Sequence, residues 1–200
     1  MAEILIKNLP AKYEAIWQEC LRLFSEGRPS DDIHARDTVE FILNYQGQLK
    51  FDQDILVPTA MMHDIGHTAI LPEHFKFVTG GMKLVNSKLV HMLTGAKIAK
   101  NILAKVVYDP VKSKEIVDII SIHDSYQLSG INLEEIYNTD NKKIFHDIDM
   151  LDMFSQERLK KFKGLADAKT LKSGLEKNLK AFFYDEFRIM AEKRFGDLKL

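Results

Sequence analysis

The stretch Ile55-Leu56-Val57-Pro58-Thr59-Ala60-Met61-Met62-His63-Asp64-Ile65-Gly66-His67 decides how this chain is read. From Ile55 to Met62 it is apolar on nearly every side, the pattern of a helix enclosed by other helices rather than one facing water. Pro58 is read in its first turn, where a missing amide is tolerated, and the helix is expected to run on to His67. His63, Asp64 and His67 can each bind a metal or move a proton. A buried carboxylate without a partner costs several kcal/mol, so Asp64 calls for a cation, and a neutral imidazole is not one. A divalent ion satisfies both side chains, and imidazole with carboxylate suits zinc, iron or manganese.

The segments on either side supply the enclosing helices. Tyr13, Ile16, Trp17, Cys20, Leu21 and Phe24 step by three and four, which predicts an amphipathic helix from Ala11 to about Ser25, closed by Gly27. Ser30, Asp31 and Asp32 offer N-caps for the next helix, with His34 in its first turn. Residues 68–88, with Pro72, Gly80 and Gly81, form a long connection of the kind used as lids or substrate-binding segments. Helices are then expected from Leu89 to about Tyr108, with His91 in the first turn and Asp109-Pro110 as the stop, and from Lys112 to His123. A short one follows over Asn132–Thr139, then longer ones over 141–162 and 166–195. No strand alternation is convincing, so the fold class is all-α. His34, His91 and His123 all fall near expected helix ends, where several helices can converge on one pocket.

A second acidic run, Asp147-Ile148-Asp149-Met150-Leu151-Asp152, lies in the 141–162 segment. Asp149 and Asp152 share a helix face and Asp147 points elsewhere. The apolar neighbours Phe145, Ile148, Leu151 and Phe154 turn at least one aspartate inward; a solvated acidic face is the alternative. Composition adds little beyond this. A chain of 200 residues, 46% hydrophobic and 28% charged, suits one soluble domain with a real core. Its net charge of −1 gives no global pull towards nucleic acid. The single cysteine, Cys20, excludes an intramolecular disulfide. The opening residues do not read as a signal peptide and no stretch reaches membrane-spanning length. A cytoplasmic protein is the expectation.

A histidine in one helix, a His-Asp doublet in a later one and an aspartate further on resemble the HD superfamily of metal-dependent phosphohydrolases, here His34, His63-Asp64 and Asp149. The resemblance covers residues 30–155. His91-Met92-Leu93-Thr94-Gly95 is similar to the His-x-x-x-Gly element of dinuclear members, and His123-Asp124 with Ser129-Gly130 resembles their second histidine segment. The resemblance implies metal ligands at His34, His63, Asp64, His91, His123 and Asp149, with Asp64 bridging. It implies one or two divalent ions per chain (iron, manganese, magnesium or zinc). Asp149 is preferred to Asp147 and Asp152 because the family's last ligand often occupies the middle of an Asp-x-Asp-x-x-Asp run. Asp64 and His67 are the catalytic candidates, His67 protonating a leaving oxygen or holding a phosphate, with a solvent-exposed helix-end histidine as its alternative.

The implied layout is an N-terminal arm and helix over 1–29, an HD-type domain over 30–155, and a helical extension over 156–200 packing on the same domain. The implied activity is hydrolysis of a phosphomonoester or phosphodiester in a small substrate, a nucleotide being expected. The alternatives are a dinuclear iron oxygenase, since myo-inositol oxygenase resembles the same scaffold, and a non-catalytic sensor. Thr68-Ala69-Ile70-Leu71-Pro72 stands where deoxynucleoside triphosphate hydrolases carry Pro-Phe-x-His, and no Gly-Tyr-Pro follows His123, so neither that activity nor the cyclic-di-GMP subclass is expected. Gly80-Gly81 with Lys83 and Lys88 reads as a flexible loop rather than a phosphate cradle. Lys160-Lys161-Phe162-Lys163 reads as a solvated face rather than a nucleic-acid patch. Phe182, Phe183, Phe187 and Phe195 are expected to pack on the domain, with a homodimer contact as the alternative.

Overall fold

A helix with no solvent-facing side must be surrounded, and in the computed structural model α3 (Gln53–Met62) is, with every residue from Ile55 to Met62 buried. The structure describes residues 5–71, 73, 80, 82–128, 130–162 and 167–199. Pro72, Gly81, Ser129 and Lys163, singled out in the sequence, lie outside them, as does the start of the arm. Among the described residues there are ten α-helices and no strand. None of these helices is long and apolar enough to cross a membrane.

Before α3 come α1 (Ala11–Phe24), burying Tyr13, Ile16, Trp17, Cys20 and Phe24, and α2 (Asp31–Asn44), burying Ala35, Val39 and Ile42. After it come α4 (Met82–Lys105), α5 (Pro110–Ile120), α6 (Leu133–Ile136) and α7 (Asp140–Met150). The chain closes with α8 (Gln156–Phe162), α9 (Ala168–Asn178) and α10 (Asp185–Asp197). α3 packs against α1, α2, α5 and α7, and α4 packs against α5. One hydrophobic core takes in residues from Ile6 to Ala191, including Leu175, Phe187 and Ala191 of the C-terminal helices. Phe182 and Phe195 pack on Phe154, Phe183 on Tyr137, and Phe187 on Phe41 and Tyr45.

Several helix ends differ from the expectation. α3 starts at Gln53, capped by the Asp52 carboxylate accepting from the Asp54 amide, and stops at Met62 rather than His67. Pro58 is therefore interior and leaves the Asp54 carbonyl without its helical donor. The Tyr108 hydroxyl donates to that carbonyl at 2.7 Å and replaces it. α4 begins at Met82 and ends at Lys105, so Lys88 lies in a helix rather than a loop and His91 sits well inside it. Asp109-Pro110 does not end α4. It starts α5, the Asp109 carboxylate accepting from the amides of Val111 and Lys112 and Pro110 occupying the first turn. The helix expected over 141–162 divides into α7, a 3-10 turn over Leu151–Phe154, and α8. The 166–195 segment divides into α9, a 3-10 turn over Leu179–Ala181, and α10.

Candidate metal centre

The His63-Asp64 doublet stands where α3 gives way to a 3-10 turn over Ile65–Ala69, a turn that packs on α4. Contact there is too close for any side chain on Gly66. A Cβ at that position would lie 1.9 Å from the His91 carbonyl and 2.6 Å from the Gly95 nitrogen. Gly66 thus seats the doublet against the turn of α4 that carries His91, with Gly95 in van der Waals contact across from it. That is the physical reason for the glycine that follows the doublet.

Three histidines are oriented alike. Nδ1 of His63 faces the Ala60 carbonyl at 2.9 Å, Nδ1 of His91 that of Ser87 at 3.1 Å, and Nδ1 of His123 that of Ile120 at 2.8 Å. A carbonyl only accepts, so each Nδ1 carries a hydrogen and each ring turns its Nε2 edge into the cluster. Nε2 of His63 and Nε2 of His67 are buried without a hydrogen-bond partner. Nε2 of His91 and Nε2 of His123 face each other at 3.2 Å. Two lone pairs at that distance repel, so the contact needs either a proton on one Nε2, which then donates to the other, or a cation beside them. The residues present fit a metal.

The carboxylates complete the picture. Asp149 Oδ1 lies 2.9 Å from His34 Nε2 and 3.4 Å from His63 Nε2. Asp152 Oδ2 lies 3.3 Å from His34 Nδ1. Burial pushes the His34 pKa down, but these two carboxylates outweigh it and raise it to about 10. Burial also opposes the charge on Asp149, yet His63 and His34 hold its carboxyl well below the ordinary range. Asp64 touches both halves of the cluster: Oδ2 is 3.7 Å from His63 Nε2, and Oδ1 is 3.8 Å from His123 Nε2 and 3.4 Å from His67 Nε2. His67 stacks on His91 with ring centroids 4.4 Å apart, and burial lowers its pKa, so it is a neutral base rather than an exposed helix-end side chain. Asp147 turns away, its carboxylate accepting from the backbone amides of Phe183 and Tyr184.

Every histidine and aspartate named as a candidate in the sequence, Asp147 apart, therefore reaches one cluster. Its donors form three overlapping groups able to hold an ion: His34, His63 and Asp64; Asp64, His67 and His91; His91, His123 and Asp124. Imidazole and carboxylate donors together suit zinc, iron or manganese. A cleft of about 310 Å³ opens on the cluster, with Arg28, Lys88, Tyr126 and Arg158 also in its wall.

Sequence reasoning missed the basic residues. The Arg28 guanidinium donates to Asp31 Oδ1 at 2.6 Å and Asp64 Oδ2 at 2.7 Å, and Lys88 pairs with Asp124. Arg28 follows the Gly27 helix stop and carries no functional reading in the sequence, and Lys88 reads as part of a loop. Their partners in the cluster, Asp64 and Asp124, lie 36 residues away in each case, beyond any local pattern. Comparison with protein-family models, with curated proteins and with solved structures finds no match to this chain.

Proposed function

We propose that this protein is a metal-dependent phosphohydrolase of the HD type, acting on a small phosphorylated substrate such as a nucleotide. The observation that carries this reading is the meeting, in one cleft, of the histidine–aspartate cluster with Arg28, Lys88 and Arg158. His34, His63, Asp64 and Asp149 would hold one ion, and Asp64, His91 and His123 a second. Such ions supply Lewis acidity and activate water near neutral pH.

The chain's own residues provide the rest. Arg28 presents a planar fork of N–H donors at the cleft, a geometry that matches phosphate oxygens. Lys88 adds a compact charge beside it. His67, buried and neutral, lies next to Asp64 and is placed to move a proton at Nε2. Tyr126 and Met153 also line the cleft, where they would lie beside the substrate.

A panel of phosphomonoesters and phosphodiesters, assayed for phosphate release with Mn²⁺, Fe²⁺, Mg²⁺ or Zn²⁺, tests the reading. Release dependent on metal and lost on His63→Ala is expected. A protein that binds metal yet cleaves no phosphate ester in the panel overturns it. Oxygen uptake in that case turns the reading to the dinuclear oxygenase, and neither activity turns it to a sensor.

A further inference from the structure

The contact between His91 Nε2 and His123 Nε2 has a third neighbour outside the ligand set proposed above. Asp124 Oδ2 lies 3.1 Å from His91 Nε2 and 3.9 Å from His123 Nε2. Its other oxygen accepts from Gln127 Nε2 at 2.7 Å, which fixes the carboxylate in place. A carboxylate that merely orients a metal-binding imidazole holds the nitrogen away from the metal. In His91 that nitrogen, Nδ1, is already held by the Ser87 carbonyl. Asp124 instead stands on the Nε2 side, where the ring would coordinate.

The separations fit a shared ion. Two donors each about 2.1 Å from one metal, at tetrahedral or octahedral angles, lie roughly 3.0–3.4 Å apart. The 3.1 and 3.2 Å contacts around His91 Nε2 fall in that range, and the His123–Asp124 separation needs to close by about half an ångström. The same Asp124 oxygen is paired with the Lys88 ammonium, so a cation already occupies the position beside the two imidazoles.

Building on the metal-centre reading above, we infer that Asp124 is a further ligand of the second ion, and that Lys88 competes with that ion for the Asp124 carboxylate. Uptake of the second ion exchanges the ammonium for a metal and frees Lys88 to face the cleft. Lys88 therefore weakens the second ion when no phosphate is present to receive it.

Calorimetric titration with Mn²⁺, backed by elemental analysis of the dialysed protein, tests this on three full-length proteins. Wild type is expected to take two ions. Asp124→Asn, which keeps the side chain's shape, should bind the first ion as wild type does and the second at least about tenfold more weakly. Lys88→Met, which keeps length and removes charge, should bind the second ion about tenfold more tightly. Two unaltered ions in Asp124→Asn, or no gain in Lys88→Met, overturn the inference while leaving the metal centre standing. Uptake of one ion by wild type also overturns it. A wild type that binds no ion overturns the metal reading and this inference together. A thermal melt of Asp124→Asn matching wild type excludes loss of fold as the cause of a lost ion.

Discussion

Four side chains reach the Asp64 carboxylate: Arg28 at 2.7 Å, His67 at 3.4 Å, His63 at 3.7 Å and His123 at 3.8 Å. Asp64 and Nε2 of His63 are thus the centre of the donor set. Asp64→Ala and His63→Ala should each abolish tight metal uptake in elemental analysis while the helical circular dichroism stays close to wild type. Full metal occupancy in both would sink the site assignment. His146 is a different case, since it is buried outside the cluster among Tyr126, Tyr137 and Phe183, with Nε2 donating to the Ala181 carbonyl at 3.1 Å. Burial lowers its pKa to about 4, against about 6.5 in an unfolded chain. The unfolded state then binds more protons between those values, so this group's contribution to stability falls as pH drops from about 6.5 to about 4. Asp147, raised by burial to about 7, has the opposite sign over much the same window and masks the effect in wild type alone. The stability of wild type minus that of His146→Gln should therefore shrink by about 1.4 kcal/mol per pH unit on acidification. Urea melts of both proteins at pH 6.5, 5.5 and 4.5 measure it, and a constant difference would refute the assignment of a neutral buried His146.

The same contrast between local and distant causes governs the elements. The all-α class and the central place of α3 were legible because a continuous apolar run from Ile55 to Met62 has few other outcomes in a chain without strand alternation. The ligand candidates were legible because they sit in short motifs, at helix ends or, for His91, four residues before Gly95. Helix ends were read less well, and α4 shows why. Its C-terminus is a Schellman turn, with the Tyr108 amide donating to Leu103 and the Val107 amide to Ala104, and the left-handed residue is Val107 at φ 55°. Glycine usually marks that position. A β-branched residue there carries no sequence signal, and the next punctuation, Asp109-Pro110, was taken for the stop. The strain is real: a left-handed non-glycine residue costs roughly 1–2 kcal/mol, partly offset by the chain entropy that glycine loses on folding. Val107 is 88% exposed, so its side chain contributes almost no packing. Val107→Gly should therefore raise the unfolding free energy by about 0.5–1 kcal/mol in urea melts, and a loss of stability would contradict the turn. The division of 141–162 at Met150 had no punctuation either.

At the scale of the molecule, the question is how the C-terminal helices are held to the core that positions the cluster. Leu175, Phe187 and Ala191 share the hydrophobic core, but a polar contact fixes where the chain enters α10. The buried Asp147 carboxylate, two residues before Asp149 in α7, accepts from the amides of Phe183 at 2.9 Å and Tyr184 at 2.8 Å. α7 thus sends Asp149 into the cluster on one side and anchors the last helix on the other. The two aspartates, two residues apart, divide these tasks because the helix turns them to different faces. A buried amide deprived of its acceptor costs about 1–3 kcal/mol, and Asp147→Ala strands two. That substitution should cost about 3 kcal/mol or more in denaturant melts at pH 7. Hydrogen exchange should locate the effect. Faster exchange is expected over residues 183–197, with the amides of α3 protected relative to them, because α3 is enclosed by α1, α2, α5 and α7 and not by α10. Uniform acceleration across both helices would mean that Asp147 supports the whole core and does not pin one end of it.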